Sequence, residues 1–298
     1  MKIIEDLKKM DIGKIEDDVF LKDYTTYKVG GKPICIIYPE DVDSLKEVLE
    51  YIHENNIKYK ILGNGSNVIF NNNSYDGIII KLSNFNNLSI DGNRITVGAG
   101  YMLNKLALRL SRLGYAGLEF AAGIPGTVGG AVYMNAGAYK SDMGYIVTSV
   151  KLMTPDFKII TMTNEELKFH YRDSFLQHNP GYICLEATMY LPKGDPDEIM
   201  ELINSRKARR IESQPLEYPS AGSVFRNPEG DFAGRLIEEI GYKGKSIGDA
   251  QVSEKHANFI INKGNARGED IKKLIAEIRD KVKEKYNITL KVEQEFVE

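Results

Sequence analysis

Short apolar runs of strand length stand at residues 34–38 and 59–62, and between them residues 41–55 carry Leu45, Val48, Leu49 and Ile52 at helical spacing. The three segments predict a βαβ unit whose second strand runs into Gly63. A strand pair is expected next at 77–81 and 94–98, with Asp91-Gly92 as turn chemistry between them. Leu103, Leu106, Ala107, Leu110 and Leu113 mark one apolar face of a helix that Gly114 ends. Strand patterns follow at 146–153, 158–161 and 182–191, and the polar stretch 192–196 predicts a hinge leading into a helix over 198–210. A further unit from about 213 to 286 shows helices near 232–240 and 269–286 and a strand at 258–262. The last run, 288–297, is strand-like, and there is neither an internal repeat nor a low-complexity tract.

Composition narrows the class. The 298 residues suffice for two or three domains with a sizeable core, and 42% hydrophobic with 27% charged residues is ordinary for a globular chain. Basic and acidic residues nearly cancel, 39 against 42, so nothing supports a nucleic-acid or anionic-membrane surface. Cys35 and Cys184 both lie in apolar runs and read as buried thiols in a reducing compartment. Residues 1–10 place Ile3, Ile4, Leu7 and Met10 at helix spacing rather than in a signal peptide's apolar core, and a cytoplasmic location is expected.

The chemistry concentrates in two small-residue segments. Gly123, Ile124, Pro125, Gly126, Thr127, Gly129, Gly130, Ala131, Asn135 and Gly137 belong to a run too poor in side chains to build an ordinary core, which suits backbone pressed against a ligand. Gly63, Asn64, Gly65, Ser66 and Asn67 form a second such loop after a strand, where amides and the Ser66 hydroxyl can hold a pyrophosphate; alone it reads equally well as a polar turn. A dinucleotide fingerprint is disfavoured, since Val68 takes the third glycine position and no helix pattern follows. Gly244-Lys245-Ser246 ends like a phosphate-binding P-loop but has Glu239 at the upstream glycine position. His53, His170, His178 and His256 have no zinc-ligand spacing, so no metal is expected. Ser223 lies outside any Gly-x-Ser-x-Gly elbow, which argues against a hydrolase triad. Read alone, Ser223 is a strand-start hydroxyl, Arg172 a local ion pair or solvated side chain, and Glu293 an exposed C-terminal carboxylate.

Taken in order, the two loops resemble the flavin-binding domain shared by UDP-N-acetylenolpyruvoylglucosamine reductases and the vanillyl-alcohol-oxidase type of flavoenzyme. Tyr171-Arg172-Asp173-Ser174, then the motif at 219–228 with Ser223 and Asn227, then 252–259 with Lys255, His256 and Asn258, resemble successive signatures of the reductase family. The resemblance spans about 25–293 and rests on five ordered motifs. It implies an α+β chain: two α+β FAD-binding subdomains at 1–81 and 82–192, a linker helix at 193–212 and a smaller α+β substrate-binding domain at 213–287, with 288–298 returning to the first subdomain. The stretch between Arg172 and Ser223 is short, which implies the class without a tyrosine-bearing loop.

The resemblance further implies non-covalent FAD, NADPH as reductant and reduction of UDP-N-acetylglucosamine enolpyruvate to UDP-N-acetylmuramate for bacterial peptidoglycan. In that reaction a flavin must relay the hydride, because no amino-acid side chain can supply one. The family match places Arg172 beside the substrate carboxylate, Ser223 as proton donor and Glu293 as third catalytic residue, with Tyr171, Asn227, Lys255, His256 and Asn258 toward substrate. The family continues Glu-Val-Arg or Glu-Val-Lys after the acid, whereas Gln294 and Glu295 follow here, so Glu295 competes with Glu293. Arg206, Lys207, Arg209 and Arg210 read as a solvated helix face or as contacts to the substrate diphosphate, and Ser213 stands where the family often has a lysine. The alternatives are a flavin oxidase or dehydrogenase of the same fold with another substrate, and a binding module without catalysis.

Overall fold

A computed structural model describes residues 2–298. The chain divides into two compact units, each assembled from separated segments: Met1–Asp17, Cys35–Asn64 and Gly77–Ala208 form one, and Asp18–Ile34, Gly65–Asp76 and Arg209–Glu298 the other. The units thus draw on segments from more than one of the ranges expected from sequence, and residues 63–67 contribute to both.

In the first unit the strands and helix of the expected βαβ element form, but Pro33–Tyr38 and Lys58–Ile61 are not neighbours: Tyr75–Ile80 lies between them in one sheet. Strand Lys58–Ile61 pairs in parallel with Tyr75–Ile80, matching Tyr59 with Ile78 and Ile61 with Ile80. Helix Val42–Glu54 starts at a reciprocal cap: Ser44 N–H donates to the Asp41 carboxylate at 2.9 Å and Asp41 N–H to the Ser44 hydroxyl at 2.9 Å. It buries Leu45, Val48, Leu49 and Ile52, as their spacing predicts.

A second sheet in this unit is antiparallel throughout, in the order Ile159–Thr163, Val147–Met153, Ile183–Tyr190, Arg94–Gly98, Leu88–Asp91. It corrects the expected pairing of 77–81 with 94–98. Asp91-Gly92 instead closes a hairpin between Leu88–Asp91 and Arg94–Gly98, with Gly92 at φ 55. The missed strand lies at the sheet edge and buries no face, so it lacks the alternation that would reveal it.

Helix Leu103–Arg112 buries Leu103, Leu106, Ala107 and Leu110, but Leu113, its C-terminal cap, is 50% exposed. Pro196, expected in a hinge, is the first residue of helix Pro196–Ser213. The Asp195 carboxylate accepts from Asp197 N–H at 2.8 Å and Glu198 N–H at 3.2 Å, so proline takes the position where its missing N–H costs nothing. Cys35 and Cys184 are free and buried, and burial pushes both thiols up to about 12.

In the second unit the antiparallel sheet Ser246–Ile247, Ala250–Val252, Ile260–Asn262 and the helices Ala233–Glu239 and Gly268–Tyr286 share a core. Tyr27, Phe225, Leu236, Ile260, Ile271 and Leu290 are among its buried members. Of the run 288–297 only Glu295–Val297 is a strand, pairing in parallel with Val68–Phe70.

Candidate active site

The candidate residues of the first unit are held largely by backbone. Strand Lys58–Ile61 delivers Gly63, whose carbonyl accepts from the Lys81 ammonium at 2.6 Å. Burial lowers the Lys81 pKa to about 8, with Glu16 opposing the shift. A β-carbon on Gly63 would stand 2.6 Å from the Thr127 hydroxyl, so only glycine lets the two segments approach this closely. Asn64 Nδ2 donates to the Pro125 carbonyl at 2.6 Å and ties the loops together.

Helix Val128–Met134 follows, capped by Thr127, whose hydroxyl accepts from Gly130 N–H at 3.3 Å. Leu103 N–H donates to Gly126 O and Gly129 N–H to Ala99 O, at 2.9 and 2.8 Å, and hold the segment against its neighbours. Ile124 N–H and Ala131 N–H donate to Ala121 O and Thr127 O, and Gly123 closes the 3-10 turn Glu119–Gly123. Asn135 ends the helix at φ 42. Its side chain is satisfied at both ends, donating to His170 O and accepting from Gly144 N–H at 2.8 Å each.

Arg172 is drawn to this same segment. Its guanidinium donates to Gly137 O at 2.6 Å and lies 5.0 Å from the Tyr171 ring centre. Arg172 has φ 57, in the left-handed region, and Gln177 Nε2 donates to both the Arg172 and the Tyr133 carbonyls at 3.0 Å. The neighbouring Asp173 carboxylate meets His178 Nε2 at 2.8 Å. A residue held at positive φ by a buried-edge amide is over-determined by its surroundings, which is how functional side chains are commonly kept in place.

The candidate residues of the second unit are held largely by side-chain amides. Gly65, at φ 63, accepts from Thr26 N–H at 3.1 Å. Ser66 is half-buried, and Asn67 Nδ2 donates to Glu293 O at 3.1 Å while Asn67 O accepts from Glu295 N–H at 2.9 Å. Ser223 bridges to Phe259, and Phe225 bridges to Val292 on the other side. Asn258, 4% exposed, accepts from Phe225 N–H at 3.0 Å and donates to Phe225 O at 2.8 Å, fixing the backbone two residues beyond Ser223. His256 Nδ1 accepts from Asn258 N–H at 3.2 Å; this acceptor role requires the neutral ring, and burial lowers its pKa in the same direction.

Glu293 N–H donates to Val224 O at 2.8 Å, bringing the candidate acid alongside the Ser223 segment. Asn227 Oδ1 accepts from Ala233 N–H at 3.1 Å, at the start of helix Ala233–Glu239. The Lys255 ammonium donates to Ile211 O at 2.6 Å and lies 3.9 Å from Glu217. Sequence reasoning missed Lys81 and Gln294. Lys81 had one available signal, a lone lysine closing the apolar run 77–80, whereas Gln294 had only its departure from the family pattern.

Residues 63–67 and 123–137 contain no acidic side chain, and their donors are amides and hydroxyls. An anionic diphosphate with a flat ring system fits such a surface. Residues 33–163 match the family described as FAD binding domain. A glucose dehydrogenase, Phl p 4.0202, shares the fold alone, with a TM-score of 0.50 at 14% identity over 66% of this chain and 45% of its own. The chain is an FAD-binding oxidoreductase of α+β architecture, with a flavin domain of the vanillyl-alcohol-oxidase type.

Its C-terminal part specifies which. Residues 214–297 match the family described as UDP-N-acetylenolpyruvoylglucosamine reductase, C-terminal domain. Reductases of that name from Bacillus licheniformis and Clostridium novyi are 42% and 43% identical, over 99% and 97% of this chain and 98% and 94% of theirs. The crystal structure of the reductase from Thermus caldophilus superposes with a TM-score of 0.83 at 36% identity, covering 96% of this chain and 99% of that one. The chain belongs to the UDP-N-acetylenolpyruvoylglucosamine reductase family.

Proposed function

We propose that this chain reduces UDP-N-acetylglucosamine enolpyruvate to UDP-N-acetylmuramate with NADPH and non-covalent FAD, in the cytoplasm, for peptidoglycan synthesis. The observation that carries the reading is the Arg172 guanidinium on the Gly137 carbonyl, 2.6 Å away: a permanent positive charge is anchored to the glycine-rich part of the flavin domain. The backbone of Gly63 and of residues 123–137 would hold FAD, which would supply hydride drawn from NADPH for the β-carbon of the enolpyruvyl ether.

The residues of the chain handle what remains. Hydride addition turns the α-carbon and carboxylate into an enolate, and Arg172 stabilises that charge as a preorganised cation. Ser223 gives its hydroxyl proton to the α-carbon, completing the addition of two hydrogens across the double bond. A hydroxyl is a weak acid, and it suffices because the enolate is strongly basic and held close. Protonated Glu293 donates a hydrogen bond to the same enolate. Tyr171, Asn227 and Lys255 face substrate groups, while His256 and Asn258 act by fixing the backbone around Phe225.

The test separates the half-reactions by stopped flow. Ser223→Ala is expected to keep flavin reduction by NADPH and to slow reoxidation by the enolpyruvyl substrate by about 10²–10⁴-fold, the usual worth of a positioned acid. Equal losses in both half-reactions would contradict the role.

A further inference from the structure

Between the two candidate acids Glu293 and Glu295 stands Gln294, a polar side chain that is only 4% exposed. Its Nε2 points at three successive carbonyls, those of Ala221, Gly222 and Ser223, at 3.0, 3.2 and 3.4 Å. Its Oε1 accepts from the hydroxyl of fully buried Tyr27 at 3.2 Å. Carbonyls only accept, so the amide has one workable orientation, with NH₂ toward the carbonyls and oxygen toward the phenol. Burial also pushes the Tyr27 pKa well above the usual phenol range, which keeps it a donor.

Ala221 packs in the core at one end of the bend that this amide gathers, but packing leaves its middle, Gly222, open. Gly222 sits at φ 73, and a β-carbon built on it would meet nothing within 4 Å. Backbone contacts hold the chain from Ser223 onward, through the bridge of Ser223 to Phe259, Asn258 on Phe225 and Glu293 on Val224. A valine at 294 could fill the same space but could donate to no carbonyl.

We propose that Gln294 is a positioning residue for Ser223: anchored by Tyr27, it holds the Ala221–Ser223 bend through its carbonyls and so aims the hydroxyl that protonates the substrate. This rests on Ser223 being the proton donor. The effect is confined to one half-reaction, because hydride entry into the flavin does not use the Ser223 proton.

The experiment uses the full-length, FAD-loaded enzyme with five variants: Gln294→Met, Gln294→Glu, Tyr27→Phe, Ser223→Ala and the double variant Ser223→Ala with Gln294→Met. Gln294→Met is expected to slow reoxidation by the enolpyruvyl substrate about 10–100-fold, the range for a misplaced reacting group, with reduction by NADPH within about twofold. Added to Ser223→Ala it should cost less than about threefold more, since both act on one step. Gln294→Glu should gain a pH profile that the parent lacks, faster at low pH, because only the protonated carboxyl can donate to carbonyls. Amide hydrogen exchange across 221–224 should rise in Gln294→Met by about fivefold or more, the bend having lost its tether.

Normal reoxidation in Gln294→Met beside slow reoxidation in Ser223→Ala would overturn the proposal and leave the function intact. Unchanged reoxidation in Ser223→Ala would sink the reading of Ser223 and the proposal with it. Equal slowing of both half-reactions in Gln294→Met would make the amide a general packing element and also overturn the proposal. Should Gln294→Met fail to fold, Tyr27→Phe decides: reoxidation about threefold to tenfold slower at full flavin content supports the clamp, as expected for one lost hydrogen bond, and no change rejects it.

Discussion

The two units achieve precision by opposite means. In the first, side chains are removed: Gly63 and Gly129 bring backbone to within 2.6 Å of the Thr127 hydroxyl and 2.9 Å of the Ala99 methyl, distances measured from the β-carbon that each lacks. In the second, buried amides are added, with Asn258 bracketing the Phe225 peptide and Gln294 gathering three carbonyls. The difference matches the tasks proposed for them. A cofactor that must be held along its length needs smooth, close backbone, whereas one hydroxyl that must be aimed needs a rigid local frame.

If that contrast is right, the largest single loss of stability should come from an amide of the second unit. Asn258→Ala leaves a buried N–H and a buried carbonyl of Phe225 without their partner, and at about 1–3 kcal/mol for each unsatisfied group the expected cost is about 2–6 kcal/mol. Urea unfolding measures it. A loss below about 0.5 kcal/mol, the range of ordinary surface changes, would mean that water or a shifted backbone replaces the clamp and that the contrast is false.

A glycine of the first unit should cost less in stability and more in cofactor. At Gly137 an added methyl would collide with the Ser141 carbonyl and with Asp142, and backbone rather than a flexible side chain would have to move. Overpacking of this kind costs about 1–3 kcal/mol. Because Gly137 O also receives the Arg172 guanidinium, Gly137→Ala should weaken flavin retention by about tenfold, equivalent to ~1.4 kcal/mol, with a parallel fall in activity. Absorbance at 450 nm after gel filtration reads the retained flavin; full retention would show that this backbone is more compliant than its spacing suggests.

The same contrast explains what was legible in the sequence. A glycine run is visible in one dimension because its composition is abnormal, and the strand before Gly63 and the helix over Val42–Glu54 were visible because their apolar positions repeat at regular intervals. The amide clamps were invisible as clamps. Asn258 and Gln294 are single polar residues with no pattern around them, and what they do depends on partners 33 and 73 residues away, Phe225 and Ala221. The edge strand Leu88–Asp91 was missed because an edge with no buried face leaves no pattern. Pro196 is expected in the hinge, although the acid before it makes it the opening of the helix.

The smallest effect expected concerns Lys81, the half-buried cation on the Gly63 carbonyl. The Lys81 pKa is lowered by burial to about 8, below the ~10.4 of an unfolded chain. Below about 8 the ammonium is charged in both states and the folded protein carries its full desolvation cost; between about 8 and 10.4 the folded state sheds its proton first, so stability rises with pH in that window. Measured against Lys81→Met, which has nothing to titrate, the native chain should gain about 1 kcal/mol between pH 7 and pH 9. If an ion pair with Glu16 dominated instead, the raised pKa would cost stability only above ~10.4, and the native chain and the variant would run parallel from pH 7 to pH 9. Unfolding curves at pH 7, 8 and 9 for both proteins separate the two. Parallel behaviour would show that burial does not govern Lys81, and that the backbone cradle carries no desolvation cost at this lysine.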